Sequence, residues 1–357
     1  MTAPAPAPAA VRSRLSAAER DPAGLPDEGY VELLGATDDE LEALCALADS
    51  LRRDTVGSAL TVVVNRNLAP TLVAEPDHLD ALVDEAFELG ATEVCVQGPV
   101  PEDAGPDAPL ELVRRITARQ PLHLHAFRPA EVAQAAARAG LTPREFLEAA
   151  REAGLGSVPG TAARILDDDV RRLLTGGTDI SAARWIELVT TAHEVGLRST
   201  ATIVYGHVET PAQQVAHLRA LAAVQDRTGG FTELIAMPLV DVPDGLVGRV
   251  RGASRRETRA LHAVARLLLH GRIDHVQAAW PKLDRATVLD VLRGGADDLG
   301  GLLLDGALDP DAGPEAGRVL TADDVTAIAA ALGRPVRQRT TLYGEVPAER
   351  VTVGRPS

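Results

Sequence analysis

The sequence predicts a single-domain α/β fold, a TIM-like (β/α)8 barrel, from three observations. From about residue 58, short β-branched runs alternate with longer Ala/Leu/Glu/Arg segments of helical period, the pattern of repeated βα units. The strand candidates number roughly eight, the count that closes a parallel barrel. No linker interrupts the rhythm, and the 357 residues are within the length that such barrels reach as one domain. A doubly wound open sheet is the main alternative.

Residues 1–35, opening MTAPAPAPAAVRSR, read as a disordered leader, because Pro and Ala stand where a signal peptide needs a long apolar core. A helix over 36–57 precedes the barrel, which is expected over 58–306. Residues 307–357 are expected to hold a C-terminal helix and a tail that pack on the barrel. The strand candidates are ALTVVVN (59–65), TEVCVQG (92–98), LHLHAFR (122–128), LGSVPG (155–160), STATIVYGH (199–207), FTELIAMPLV (231–240), DHVQAAW (274–280) and LGGLLLD (299–305). Helices fit between them over 76–90, 109–119, 129–153 with a break near Leu141, 161–174, 181–195, 210–228, 254–271 and 284–294. A further helix is expected over 321–334. Pro76 and Pro211 stand in first turns, Thr161 and Ser181 at cap positions, and Gly196 and Gly271 just past helix ends. Asp167, Asp168 and Asp169 read as a first turn, where negative charge meets the positive end of the helix dipole.

Composition narrows the function. With 51 acidic against 36 basic side chains and a net charge of -15, the chain has no surplus to build the basic face that nucleic acid or an anionic membrane would require. No apolar run approaches the ~20 residues that span a bilayer, so a cytoplasmic protein is expected. Two cysteines, Cys45 and Cys95, cannot supply the three thiolates of an iron–sulfur cluster or a structural zinc site. Both read as small buried apolar residues. No Walker loop, G-x-G-x-x-G or G-x-S-x-G pattern is present.

Strand alternation locates a pocket. Glu93, Cys95 and Gln97 share one face of their strand, and His123, His125 and Phe127 point inward from the next. Barrels filled by packing alone are lined by Val, Ile and Leu, so polar groups here predict a lumen that takes a polar small molecule. Asn65, Asn67, Gln97, His125, Ser157, Tyr205, His207, Glu233 and Gln277 fall toward strand C-terminal ends, where barrel function sits.

The stretches VVNRN (63–67), GATEVCVQG (90–98), LHAFRPAEV (124–132), GLGSVPGTAARILDDDVR (154–171), YGHVETP (205–211), DDLGG (297–301) and RQRTTLYGEV (337–346) together resemble the radical SAM enzymes that build the deazaflavin chromophore FO. The likeness is greatest to FO synthase subunit 2, which transfers the 4-hydroxyphenyl group of tyrosine to a ribitylaminouracil, with aminofutalosine synthase a cousin. That resemblance implies a radical SAM barrel, but it fails at the cluster. The family holds its four-iron cluster with C-x-x-x-C-x-x-C after the first strand, whereas VVNRNLAPTLVAEPDHL has Ala74 where the first cysteine would stand. The family's Q-G-G-x-H-P reads Gln97-Gly98-Pro99-Val100-Pro101 here, and Pro99 has no backbone N–H to offer SAM. No cofactor is therefore expected: no cluster, and a SAM contact in question.

Each candidate has a plainer reading. His123 and His125 could ligate a metal with His207 and Glu233 or Asp241, but the resembling enzymes carry a similar His-x-His-Ala-Phe segment, so inheritance explains it and no metal is expected. Tyr205 and His207 flank Gly206 at a strand end, as an acid–base pair or as a structural pair. Ser157, Gly160 and Thr161 lie where the family holds ligand, while Thr161 also reads as a helix cap. Glu233 is a candidate for a substrate hydroxyl or amine, and Gln277 and Trp280 for an amide contact and an aromatic wall, Trp280 equally reading as core. The expected function is cluster-free acid–base chemistry on a planar polar molecule of deazaflavin-related or tyrosine-derived metabolism. His125, Tyr205, His207 and Glu233 would be catalytic, and Asn65, Asn67, Gln97, His123, Ser157, Gly160, Thr161, Gln277 and Trp280 would bind ligand. The alternative is a non-catalytic ligand binder, or a partner of an active radical SAM paralogue. A homodimer is also open.

Overall fold

The computed structural model describes residues 8–302 and 320–354. The expected leader is corrected at once, because α1 (Pro8–Arg20) and α2 (Asp27–Leu34) are helices. Val11, Leu15 and Ala18 fall on one helical stripe and are buried, as are Tyr30, Leu33 and Leu34, so this stretch has an apolar face to cover. The Tyr30 hydroxyl donates to the Pro22 carbonyl at 2.6 Å, and the Arg219 guanidinium lies 5.1 Å over its ring. Residues 1–7 of the leader, 303–305 of the last expected strand and 307–319 of the expected C-terminal region lie outside the described residues.

The remaining elements follow the expected alternation. They run α3 (Asp38–Val56), β1 (Leu60–Val63), β2 (Asn65–Leu68), α4 (Pro76–Glu88), β3 (Glu93–Val96), α5 (Ala108–Arg119), β4 (His123–Ala126), α6 (Pro129–Ala139), α7 (Pro143–Glu152) and β5 (Leu155–Val158). Then come α8 (Asp168–Thr175), α9 (Ala182–Glu194), β6 (Arg198–Tyr205), α10 (Pro211–Thr228), β7 (Phe231–Pro238), α11 (Arg255–Leu268), β8 (His275–Ala278), α12 (Arg285–Arg293), β9 (Asp298–Gly301), α13 (Ala322–Leu332) and β10 (Val336–Arg339). Among the described residues no helix is long and apolar enough to cross a membrane.

The strand order is β10-β1-β9-β8-β7-β6-β5-β4-β3-β2. The pairs β1 with β10, β2 with β3, β3 with β4 and β7 with β8 are parallel. The expected first strand is two strands parted by Val64. The Val63 carbonyl accepts from Leu302 N at 3.1 Å, and the Val64 carbonyl accepts from Thr92 N at 2.9 Å. One segment thus bonds first to the last strand of the rhythm and then to the next one along, which is the topology of the β/α-barrel class. The fold class read from the sequence holds. β10 is an addition, since Val336-Arg337-Gln338-Arg339 carries no apolar run by which periodicity would find it.

The chain divides into two compact units. The first comprises Met1–Ala59, Ala163–Ala182 and Ala201–Asp298. Its core includes Leu234, Ala236, Val276, Leu261, Val264 and Leu268, all buried. The second comprises Leu60–Ala162, Ala183–Thr200 and Leu299–Ser357, with a core of Val94, Leu124, Leu82, Val113 and Ile116. Burying each of these larger side chains contributes roughly 1.5–3 kcal/mol.

The helix expected over 161–174 begins only at Asp168. Asp167 is its cap, accepting from Val170 N at 3.0 Å. Residues 161–166 are irregular instead, with Ala162 (φ 67) and Arg164 (φ 49) in the left-handed region. The Arg164 carbonyl accepts from Val204 N at 2.7 Å, which fixes that path.

Candidate functional site

The second unit collects a row of polar side chains on one face of four strands. Parallel register sets Asn65 beside Glu93 and Asn67 beside Cys95, then Glu93 beside His123 and Cys95 beside His125. His125 is level with Ser157, after a bulge that passes over Gly156. Side chains two apart share a face, so these residues project together. Ser157 joins the histidines: its Oγ lies 2.7 Å from His123 Nε2 and 2.6 Å from His125 Nδ1. Gly156 makes this possible, since a Cβ there would meet His123 Cε1 at 2.5 Å.

Glu93 anchors the row and was the residue that motif reading passed over. Its Oε1 accepts from the Cys95 thiol at 2.9 Å, and the Asn65 amide donates to Cys95 Sγ at 3.5 Å. Cys95 is therefore part of a polar chain as well as buried. Gly301 gives Asn65 its room, because a Cβ there would meet Asn65 Oδ1 at 2.1 Å. Burial works against the charged form of Glu93, but its attraction to His125 and His123 when those rings carry a proton, with the hydrogen bond from the Cys95 thiol, outweighs it and holds the carboxyl below its ordinary range. Burial pushes His125 down to about 4 against the pull of Glu93, and lowers His123 in the same way. At neutral pH both rings are neutral beside an ionised carboxylate.

Other expected residues of this unit fall nearby in sequence with different roles. Gln97, half-buried, follows Val96 at the end of β3. Gly160 is explained by packing, as its N–H donates to Thr200 Oγ1 at 2.9 Å and a Cβ would overlap the Thr200 carbonyl oxygen at 1.7 Å. Thr161 does not cap a helix; its Oγ1 is buried without a hydrogen-bond partner. Arg339, at the end of β10, stacks 3.9 Å over the Tyr343 ring, and its charge reinforces the lowering of His125.

The first unit treats its candidates differently. Tyr205 is turned onto α11: its hydroxyl donates to Thr258 Oγ1 at 3.1 Å and its ring meets His262 edge-on at 6.3 Å. Burial raises its pKa further. His207 has both ring nitrogens engaged, Nε2 with the Val204 carbonyl at 3.0 Å and Nδ1 with Glu209 Oε2 at 2.8 Å. Glu209 also accepts from Gly206 N, His207 N and Gln214 Nε2. Burial opposes its charge, but these donors prevail and draw it down to about 2. Gly206 (φ 81) lies against Ala253, whose N would be 2.7 Å from any Cβ. This is a tightly bonded turn, in which Tyr205 and His207 are both held by protein partners.

Glu233 is buried in the N-terminal half of β7, level with His275, the first residue of β8. Barrel chemistry collects at the opposite strand ends. His275 Nδ1 lies 2.7 Å from Asp297 Oδ2, and Asp297 also accepts from Arg266 and from Val276 N. Burial disfavours the charged Asp297, yet His275 and Arg266 keep it ionised. Gln277, half-buried, is level with Ile235, and half-buried Trp280 opens the short turn after β8.

A four-iron cluster does not fit the donors present. The segment after β2 runs through a short 3-10 turn, Pro70–Ala74, straight to Pro76 at the start of α4, and holds no thiol. Cys95 is tied to Glu93 and Asn65, and Cys45 sits in α3 of the other unit. Among the described residues no group of three His, Cys, Asp or Glu is arranged to hold a metal ion. The Gly98 N–H, next to Pro99, donates to Glu131 Oε1 at 3.0 Å.

No family model matches the sequence. The chain is 46% identical over 372 residues to the FO synthase of Nocardia farcinica, covering 96% of this chain and 43% of that protein. It is 47% identical over 363 residues to the FO synthase of Mycobacterium tuberculosis, covering 95% and 42%. The chain thus spans less than half the length of those relatives. The 5-amino-6-(D-ribitylamino)uracil–L-tyrosine 4-hydroxyphenyl transferase of Archaeoglobus fulgidus is 36% identical over 315 residues, covering 83% of this chain and 92% of that enzyme. Among solved structures, the FeFe-hydrogenase maturase HydG superposes with a TM-score of 0.71 at 12% identity, over 95% of this chain and 78% of that one. Methylornithine synthase gives 0.64 at 15% identity, over 90% and 95%. At such identities these two speak for the fold.

Proposed function

The chain belongs to the family of 5-amino-6-(D-ribitylamino)uracil–L-tyrosine 4-hydroxyphenyl transferases, the FO synthase type, and we propose that it is a cytoplasmic member working without an iron–sulfur cluster. Its ligand is a planar polar molecule related to ribitylaminouracil, a deazaflavin or a tyrosine-derived aromatic. Its chemistry is acid–base: condensation, cyclisation or C–N cleavage. The observation that carries this reading is Ser157 bridging His123 and His125 beside Glu93, in a chain whose cysteines cannot seat a cluster.

A hydroxyl between two imidazoles can pass a proton. With His123 Nε2–H donating to Ser157 Oγ and the Ser157 hydroxyl donating to His125 Nδ1, a proton taken from ligand at His123 Nδ1 releases the one on Nε2. Ser157 accepts it and hands its own to His125, whose new charge faces the Glu93 carboxylate. His125 thus takes the proton only in passing, and His123, half-buried, is the ligand-facing group. Asn65, Asn67 and Gln97 would orient the ligand's polar edge. Tyr205 and His207 have structural roles in this reading.

The test is purification without oxygen, iron analysis, and assay of 5-amino-6-(D-ribitylamino)uracil with and without tyrosine. We expect iron far below the about four atoms per chain of a four-iron centre, and turnover that falls roughly 100-fold in His125→Gln. Iron near that count, or turnover indifferent to His125→Gln, would overturn it. Binding without turnover would favour the ligand-binding reading, in which two neutral histidines joined through Ser157 serve recognition alone.

A further inference from the structure

A cleft of about 540 Å³ opens in the first unit between α3, α11 and α12. Four arginines line it, Arg255, Arg256, Arg259 and Arg293, against two acids, Glu42 and Asp290, in a chain whose net charge is -15. Arg255 and Arg256 are the first two residues of α11, where the helix's own N–H groups already make the potential positive. Glu257 in the same first turn, 3.6 Å from Arg256 Nη2, and Asp290 offset part of that charge, and a further anion would be favoured there.

Three of these arginines, Arg255, Arg256 and Arg259, are held in place by the cleft walls. Arg256 Nη1 donates to the carbonyls of Leu34 and Ala36 at 2.8 and 3.1 Å, and Arg255 Nε donates to Asp290 Oδ2 at 2.6 Å. Arg259 makes a two-pronged pair with Glu42 at 2.7 and 2.8 Å. Its Nε is buried without a hydrogen bond, 3.7 Å from Asp290 Oδ2. Glu42 is the weak member: its side chain is 66% exposed, and an exposed ion pair is easily exchanged. The carboxylate fork of Glu42 therefore stands where a ligand oxyanion would pair with the planar Arg259 guanidinium. Cys45 contributes bulk and no charge to the floor, since burial raises its thiol to about 11.

We propose that this cleft is a binding site for a phosphate-bearing small molecule, which displaces Glu42 from Arg259 and is clamped by Arg255, Arg256 and Arg293. The site belongs to the first unit and the polar row to the second, and it stands whether or not the proposed function does. Calorimetric titration of the full chain with inorganic pyrophosphate at low ionic strength tests it, chloride at equal ionic strength serving as control. Saturable binding at one site is expected, about fivefold tighter in Glu42→Gln because a competing carboxylate is gone, and about tenfold weaker in Arg259→Lys because the fork is lost. A nucleoside diphosphate binding more tightly than pyrophosphate would identify a phosphorylated metabolite as the source, and equal binding the free anion. Absence of saturable binding, or Glu42→Gln binding no more tightly than the parent, would overturn the site. If Arg259→Lys lowers the melting temperature, the Glu42→Gln result decides alone.

Discussion

Both units bury histidines against carboxylates, and they use them in opposite ways. In the second unit His123 and His125 share one hydroxyl, Ser157 Oγ, with Glu93 alongside. Each of these rings has a nitrogen that faces a hydroxyl, a group that can donate or accept. In the first unit His207 is bonded to Val204 and Glu209, and His275 to Asp297, which also holds Arg266. These rings close turns and buttress strands. Residue type is the same in both places, and in the function proposed above it is the freedom of the hydrogen-bond partner that sets His123 and His125 apart from His207 and His275.

Acid should test what the two units share. Burial pushes His125, His193, His217 and His262 down to about 4. Between their ordinary value near 6.5 and 4 the unfolded chain binds more protons than the folded one, so stability is full above about 6.5 and falls as pH drops toward 4. Each ring accounts for up to about 3 kcal/mol, and urea midpoints measured from pH 7 to pH 4 should decline steeply. A flat profile would mean that these rings are not buried neutral.

Asp297→Asn should break the structural network. Removing one partner of a buried ion pair leaves Arg266 uncompensated, at roughly 3–5 kcal/mol, read by urea unfolding. The same experiment on Ser157→Ala should give a smaller loss, about 1–3 kcal/mol, because two neutral rings lose one shared partner. Equal losses would erase the contrast between the units. Smallest is Tyr205→Phe, where one hydroxyl bond to Thr258 disappears, at roughly 1 kcal/mol, with ligand turnover unchanged. A large loss of turnover in Tyr205→Phe would return that residue to the site.

What the sequence could tell follows from which signals are local. The βα rhythm, Pro76 and Pro211 at helix starts and the break near Leu141 are all chain-local, and each is found where expected, with Thr142 capping α7 after the left-handed Gly140. β10 escapes because its four residues carry charge and amide instead of an apolar run. Thr161 mimics a cap, yet Ala162 and Arg164 take left-handed backbone that no local preference announces. Alternation does set Tyr205 with Ala201 and Ile203, all buried, and so away from the face of Thr200 and Thr202. His123, His125 and Ser157 were legible from alternation and resemblance. Glu93 shares the face of Cys95 and Gln97, but its pairing with two histidines is a long-range fact. Gly156 and Gly301 matter only through the side chains they admit, which no window of sequence displays.

The central claim is that ligand meets the polar row of the second unit and not the locked turn of the first. Calorimetric titration of 5-amino-6-(D-ribitylamino)uracil into the parent chain, Ser157→Ala and His207→Gln, with melting temperatures taken alongside, tests it most directly. We predict binding weakened about tenfold or more in Ser157→Ala, as expected when a buried polar contact set is left incomplete, and unchanged in His207→Gln. Parent-like binding by Ser157→Ala, with binding lost in a His207→Gln protein that melts like the parent, would contradict the account.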